Sequence, residues 1–161
     1  IGGGYGDMMS AIVQKNPDIK CINLDLPDVI SSVSNPPSSV EMVSGDMFIP
    51  STIPPCDVII MKHVFCDWND QKAEEILNSI KCALTSKGKV IIIDALLLDG
   101  AEATENKQFM AFVDLQMMMV GGKMERSKSQ LNNVSKKCGF EIESVLKTSS
   151  ISCDITTLIK I

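Results

Sequence analysis

The stretch MKHVFCDWND, residues 61–70, combines side chains that could remove or hold a proton. It contains the chain's single histidine, His63, and its single tryptophan, Trp68, on either side of Cys66. Histidine is the commonest general base in enzymes, whereas a thiol with an ordinary pKa of about 8.5 is mostly protonated at neutral pH. His63 could serve as the base or could be a structural residue of a pocket wall. The segment is therefore a candidate catalytic loop.

A glycine-rich turn, IGGGYG at residues 1–6, precedes a predicted helix. Glycines in such a turn let a ligand approach the backbone, and the amides of the helix N-terminus can bind it. A purely structural tight turn would give the same pattern. Asp25 ends the next predicted strand, where α/β nucleotide-binding folds place a carboxylate on the ribose hydroxyls. The combination favours a nucleoside site.

Asp46 and Met47 lie at the end of the strand predicted at 40–46, where an adenine could meet one acceptor and one apolar wall. Either aspartate alone could instead cap a loop. The glycines are not spaced GxGxxG and no P-loop lysine follows them, so a pyrophosphate is disfavoured. An acidic cleft suits a ligand with a positive centre. S-adenosylmethionine, which joins a sulfonium to adenosine, is such a ligand.

Predicted strands and helices, which must position these residues, alternate along the chain. Short apolar runs at 19–26, 40–46, 56–62 and 88–98 predict strands, and helical spacing is found at 7–16, 26–33 and 69–86. Two further helices are predicted at 101–119 and 127–138, and two strands at 141–149 and 151–161 should form an antiparallel hairpin. The pattern predicts an α/β fold with a mostly parallel sheet.

Composition limits the classes of function. The chain has 161 residues, 45% of them hydrophobic, which predicts one globular domain. A net charge of -5 disfavours nucleic acid as a partner, and no apolar run reaches the roughly 18–20 residues of a membrane span. Six cysteines without metal-ligand spacing predict reduced thiols in a cytoplasmic protein and no metal site. Because the glycine-rich turn needs a strand before it, we expect a segment upstream.

Six segments in order resemble the plant caffeic acid type O-methyltransferases and the related acetylserotonin O-methyltransferases. They are GGGYG, LDLPDVI, SGDMF, DVIIMKHVFCDWND, GKVIIIDALL and GGKMERS followed by CGF. The resemblance implies a class I, Rossmann-like methyltransferase fold with S-adenosylmethionine as cofactor. Its seven-stranded, mostly parallel sheet would have an antiparallel strand near the C-terminus and helices on both faces. Residues 1–161 would form the catalytic domain, and a missing N-terminal helical domain would make the full-length protein a homodimer.

The resemblance also implies a set of cofactor-binding residues. Gly2 and Gly4 would border the methionine end, Asp25 and Leu26 the ribose, Asp46 and Met47 the adenine, and Lys62 would contact the cofactor from the strand predicted at 56–62.

The catalytic residues implied by the resemblance include one departure. Family members carry a general-base histidine in the pattern HDW, and this chain has CDW, so Cys66 stands in the base position. Asp94 matches the first acidic partner, with a side chain one methylene shorter than the usual glutamate, and Glu125 matches the second. Asp67 and Trp68 fit the motif, or serve only as a helix cap and a pocket wall.

Two hypotheses for function follow. The first is methyl transfer from S-adenosylmethionine to a hydroxyl of a small, aromatic acceptor. The second is a protein that binds S-adenosylmethionine or S-adenosylhomocysteine with little turnover, because Cys66 is a poor base; an amine acceptor is a further option. A Met-rich helix face could be part of the acceptor pocket or ordinary core, and its candidate residues are Phe109, Phe112, Met117 and Met118.

Overall fold

A computed structural model describes residues 1–97, 125–150 and 153–161. The helices are α1 (Asp7–Lys15), α2 (Pro27–Ser32), α3 (Asp70–Ala83) and α4 (Lys128–Lys137). The strands are β1 (Cys21–Asp25), β2 (Val40–Ser44), β3 (Cys56–Lys62), β4 (Leu84–Asp94), β5 (Leu96–Leu97), β6 (Arg126–Ser127), β7 (Phe140–Lys147) and β8 (Asp154–Lys160). The predicted α/β class is confirmed. The helix predicted at 101–119, with its four pocket candidates, lies outside the described residues.

The strands form two main groups. One is a four-stranded sheet in the order β3-β4-β8-β7, in which β3 and β4 are parallel and β8 is antiparallel to both of its neighbours. The predicted C-terminal hairpin is therefore confirmed. The other group is the parallel pair β1 and β2, and β5 and β6 form a short parallel pair of their own.

The first two residues lie between these two groups. The nitrogen of Ile1 donates to the carbonyl of Ile60 in β3 at 2.9 Å, and the N–H of Gly2 donates to the carbonyl of Leu24 in β1 at 2.8 Å. The glycine-rich turn is thereby held beside the ends of β1 and β3, where the candidate ligand-binding residues are found.

Helix α3 supplies much of the apolar core. Ala73, Ile76, Leu77 and Ile80 are fully buried, as their spacing predicts. Burying a Leu or Ile side chain contributes roughly 1.5–3 kcal/mol, so this face anchors the helix to the sheet. The side chain of Asn69 accepts a hydrogen bond from the N–H of Lys72 at 3.0 Å and so caps the start of this helix. Among the described helices, α3 included, none is long and apolar enough to cross a membrane.

The end of α3 differs from the prediction. The helix stops at Ala83 rather than near residue 86, because Leu84 adopts an extended backbone and pairs with Cys56 of β3. The Leu84 side chain is buried in the core. Its apolar character fits either a helix face or a strand, and tertiary pairing decides between them.

Candidate active site

The glycine-rich turn is fastened to Asp25. The N–H of Gly4 donates to one carboxylate oxygen of Asp25 at 2.8 Å, and the N–H of Leu26 donates to the other at 2.8 Å. Gly2 and Gly4 have φ values of 66° and 54°, which residues other than glycine rarely adopt. The sequence therefore brings Gly2, Gly4, Asp25 and Leu26 together, as predicted.

Asn23 supports this turn and was missed by the sequence analysis. It is buried in β1, and its amide nitrogen donates to the carbonyl of Gly4 at 2.9 Å. A Cβ added at Gly3 would collide with the Oδ1 atom of Asn23, so the turn packs directly on this side chain. A polar residue between the apolar Ile22 and Leu24 of β1 is the signal that could have identified it.

Asp46 and Met47 follow β2 on the same side of the molecule. The N–H of Gly45 donates to the Asp25 carbonyl at 2.9 Å, and the N–H of Phe48 donates to the Asp46 carboxylate at 2.9 Å. These bonds position the Asp46 loop against the end of β1.

An open pocket of about 300 Å³ lies between these loops. The predicted residues among its lining are Gly2, Asp25, Leu26, Asp46 and Met47. Phe48 and Trp68 also line it, with ring centroids 4.8 Å apart and planes at 80°. This volume and this mixture of apolar walls with a few carboxylates are typical of a small-molecule site.

Two predicted cofactor residues are placed differently from the rest. Gly4 is absent from the pocket lining and uses its N–H to hold Asp25. Lys62 ends β3 with an exposed side chain and does not line the pocket either. Contacts from these two residues to a cofactor stay predictions.

A second, smaller cavity of about 20 Å³, enough for roughly one water molecule, lies next to the catalytic loop. Cys66, Asp94 and Glu125, the three predicted catalytic residues, all line it. All three are buried, with 2%, 9% and 6% of their surface exposed. The fold therefore places the candidate base and its two acidic partners around one small cavity.

Asp94 organises the catalytic loop. One carboxylate oxygen accepts a hydrogen bond from the backbone N–H of His63 at 2.8 Å, and the other accepts one from the N–H of Cys66 at 3.0 Å. Burial raises the pKa of the Asp94 carboxyl above its ordinary value of 3.8, although these two amides, the nearby His63 ring and the Cys66 thiol all oppose that rise.

His63 marks a sharp change in chain direction. Strand β3 ends at Lys62, His63 has a left-handed φ of 53°, and a short 3-10 helix follows at Phe65–Asp67. The His63 Nδ1 atom lies 3.9 Å from the Asp94 carboxylate, and its Nε2 atom lies 3.3 Å from the Cys153 sulfur. The side chain is 42% exposed, so the imidazole sits where the loop meets solvent. The strand does not continue through residue 63, and the ring faces Asp94.

Arg126 fixes the far end of the same loop and was not identified from the sequence. Its buried guanidinium donates to the carbonyls of Phe65 and Trp68 at 3.3 and 2.7 Å and pairs with Asp70 at 3.0 Å. Asp94 and Arg126 thus hold the loop from opposite ends. The signal available in the sequence was only its position next to the predicted Glu125.

Comparisons with known proteins give the family. Residues 1–141 match the O-methyltransferase domain. The chain is 38% identical over 142 residues to a caffeic acid 3-O-methyltransferase of Catharanthus roseus, with 87% of this chain and 38% of that protein covered. The solved structure of mitomycin 7-O-methyltransferase MmcR superposes with a TM-score of 0.84 at 29% identity, covering 99% of this chain and 47% of the other. The chain therefore spans less than half the length of these relatives.

The cofactor predicted from the sequence agrees with the family. The calicheamicin methyltransferase CalO1 shares the fold, with a TM-score of 0.84 at 24% identity, and its structure is an S-adenosylhomocysteine-bound form. The family match supports S-adenosylmethionine as the cofactor. With a domain match over most of its length and a relative of this similarity, the chain belongs to the O-methyltransferase domain family that its motifs resemble.

Proposed function

We propose that this chain is the catalytic domain of an S-adenosylmethionine-dependent O-methyltransferase that acts on a hydroxyl of a small, aromatic acceptor. One observation carries the proposal: a single loop borders both cavities. Trp68 lines the larger pocket and Cys66 lines the smaller one, only two residues away. A methyl donor in the larger pocket would therefore lie next to Cys66, where the reacting oxygen of the acceptor would be placed. Relatives named for caffeic acid and myricetin support a phenolic acceptor.

The cofactor pose follows from the chemistry of the larger pocket. The Asp25 carboxylate would accept hydrogen bonds from the ribose hydroxyls, for which each of its oxygens retains a second lone pair. Asp46 and Met47 would flank the adenine, and Gly2 would border the methionine end. Carboxylates near the ligand suit its positive sulfonium. Lys62 and Gly4 would contact the cofactor only if it extends beyond the residues that line the larger pocket.

The reaction is a direct displacement. The acceptor oxygen attacks the methyl carbon, the carbon–sulfur bond breaks with its electrons going to sulfur, and S-adenosylhomocysteine leaves. The acceptor must also lose its proton, and a positioned general base typically accelerates that step by about 10² to 10⁴. Cys66 occupies the base position, with Asp94 and Glu125 as its partners. Because a thiol is a weak base, we expect slow turnover or an acceptor that is already acidic.

The architecture of the whole protein is part of this proposal. Residues 1–161 would belong to a seven-stranded, mostly parallel sheet with helices on both faces. An additional N-terminal helical domain would mediate a homodimer and cover part of the acceptor pocket. We expect a cytoplasmic enzyme with small-molecule partners only.

A second candidate function is binding of S-adenosylmethionine or S-adenosylhomocysteine with little turnover. The observation that favours it is Cys66 at the base position, where a proton acceptor near neutral pH is needed. The pocket residues for the cofactor are the same in both proposals. Only a measurement of turnover separates them.

The experiment combines calorimetry with a transfer assay. S-adenosylhomocysteine should bind the wild type, and Asp25→Asn should weaken binding by roughly 10-fold or more, since a hydrogen bond to a charged group contributes about 1.5–3 kcal/mol. Asp28→Asn, at an exposed aspartate of α2, is the matched control. Labelled methyl transfer by the full-length protein is then tested on phenols and amines. Binding without transfer to any acceptor supports the second function; folded protein that fails to bind excludes both.

A further inference from the structure

Three side chains with metal-binding atoms converge at the catalytic loop. A nitrogen of His63, the sulfur of Cys66 and a carboxylate oxygen of Asp94 lie within 4.8 Å of one another. Two of the three residues come from a four-residue segment that turns sharply at His63, and the third comes from the end of β4. Imidazole, thiolate and carboxylate are the three ligand types that zinc binds in proteins.

Asp94 holds this cluster in place before any ligand arrives. Each of its oxygens accepts one backbone N–H from the loop, at 2.8 Å from His63 and 3.0 Å from Cys66. An ionised carboxylate has about four acceptor positions, and the Cys66 thiol also hydrogen-bonds to Asp94, so a metal ion would take the place of that thiol proton beside the carboxylate. The bonds that orient the carboxylate also fix the two residues that carry the other donors.

The three donor atoms would need to move only slightly closer together to bind one ion. Zinc binds nitrogen and oxygen at about 2.0–2.2 Å and sulfur at about 2.3 Å, so donors around one ion lie roughly 3.3–3.8 Å apart. The Nδ1 atom of His63 is already 3.9 Å from the Asp94 oxygen. Rotation of the Cys66 and His63 side chains could supply the remaining closure of up to roughly 1–1.5 Å.

Access and charge also fit a metal ion. The His63 side chain is 42% exposed and faces solvent, whereas Cys66 and Asp94 line the adjoining cavity, so an ion could enter past the imidazole. A thiolate and a carboxylate would together balance a divalent charge. Three protein ligands would leave one tetrahedral position for water or for an oxygen of another molecule.

We propose that His63, Cys66 and Asp94 form a binding site for one divalent transition-metal ion of the zinc class. The ion binds Nδ1 of His63, which faces Asp94, while Nε2 faces the Cys153 sulfur at 3.3 Å. Cys153 is then an outer partner that orients the imidazole, a role that usually changes metal affinity by about 10- to 100-fold. Metal binding here does not depend on methyl transfer.

Cobalt is the probe, because a thiolate bound to Co²⁺ gives a near-ultraviolet charge-transfer band. The metal-free wild type, kept reduced, should develop this band with one equivalent of Co²⁺, and added Zn²⁺ should remove it. Cys66→Ser should abolish the band. His63→Asn should weaken Co²⁺ binding by roughly 10-fold or more, a loss at least as large as that for an outer partner. Asparagine tolerates a left-handed φ, so this variant keeps the turn.

Cys82→Ser is the control, since Cys82 is an exposed thiol on α3. It should retain the band in full. If Cys66→Ser does not fold by circular dichroism, the His63→Asn titration decides, together with the thermal midpoint of the wild type, which Zn²⁺ should raise. Absence of the band in folded wild type, or an unchanged Co²⁺ affinity in His63→Asn, would overturn the proposal.

Discussion

The backbone N–H of Cys66 donates a hydrogen bond to the carboxylate of Asp94, 28 residues away, at 3.0 Å. This bond ties the position of the candidate base to the end of a core strand. The base position is therefore set by the backbone, and a different side chain at residue 66 would start from the same place. That makes the identity of residue 66 open to a direct test.

Replacing Cys66 with histidine should speed methylation of a phenolic acceptor. Imidazole is the better proton acceptor at neutral pH, and the gain could approach the about 10² to 10⁴ typical of a general base. Adding Asp94→Glu should give more than the two separate changes predict, because the longer side chain matches the family arrangement and the residues act as one unit. Initial rates under saturating cofactor measure both effects.

His63→Ala tests whether the base is the native imidazole at residue 63 or the side chain at residue 66. If that variant abolishes turnover while Cys66→His leaves the rate unchanged, His63 is the base and the assignment of Cys66 to this position is wrong. Circular dichroism on each variant excludes loss of fold as the cause.

The buried carboxylate of Asp94 should give stability a dependence on pH. Its pKa in the folded state is raised above the ordinary 3.8, mainly by burial. The stabilising contribution of the protonated form is therefore complete below that value and is lost as pH rises through the folded pKa. The free energy of unfolding of the wild type minus that of Asp94→Asn should therefore fall as the pH rises from the ordinary pKa of 3.8 through the pKa of the folded state. Urea unfolding at several pH values measures it, and a difference that rises with pH would contradict the prediction.

Arg126→Leu should destabilise the protein by about 2–4 kcal/mol. The variant leaves the carbonyls of Phe65 and Trp68 without the guanidinium, and a buried polar group that loses its partner costs about 1–3 kcal/mol. The exposed pair of Lys89 and Glu143 supplies the control, because such pairs contribute at most about 1 kcal/mol. Urea unfolding should therefore separate Arg126→Leu from Lys89→Ala, and equal effects would count against a structural role for Arg126.

Two neighbouring glycines should respond differently to alanine. A methyl group at Gly3 would collide with Asn23, and overpacking of this kind typically costs about 1–3 kcal/mol or more. Gly4 has no atom within 4 Å of an added Cβ, so Gly4→Ala should cost only the strain of its left-handed backbone, about 1–2 kcal/mol.

Unfolding free energies alone could overlap for these two variants, so the test is the coupling with Asn23. Asn23→Ala should cost less in the Gly3→Ala background than in the wild type, because it removes the collision. In the Gly4→Ala background it should cost about as much as in the wild type. Additive effects at Gly3 would show that the collision is not the cause.

Local sequence signals were sufficient for much of the fold. Periodicity identifies the apolar face of α3, and an asparagine directly before the first turn is the usual signal of a cap such as Asn69. The arrangement of Asp25 with the glycine-rich turn also followed from chain order, since parallel strands end at one edge of a sheet. These features depend on residues close together in sequence or on the strand arrangement common to α/β folds.

The catalytic loop could not be predicted in the same way. The left-handed turn at His63 depends on a carboxylate 31 residues away, and the guanidinium that holds Phe65 is 61 residues away. The donors of the proposed metal site have no ligand spacing along the chain, because folding alone brings residues 63, 66 and 94 together. Asn23 was missed because its partner is a backbone carbonyl, which carries no residue identity.

The bonds made by Ile1 and Gly2 have a consequence for amide hydrogen exchange. Ile1 donates to Ile60 in β3 and Gly2 donates to Leu24 in β1. The large pocket takes Asp25 and Asp46 from the ends of β1 and β2 and Trp68 from the loop after β3. A nucleoside bound there contacts both sides of this junction, so it should slow amide exchange at the ends of β1 and β2.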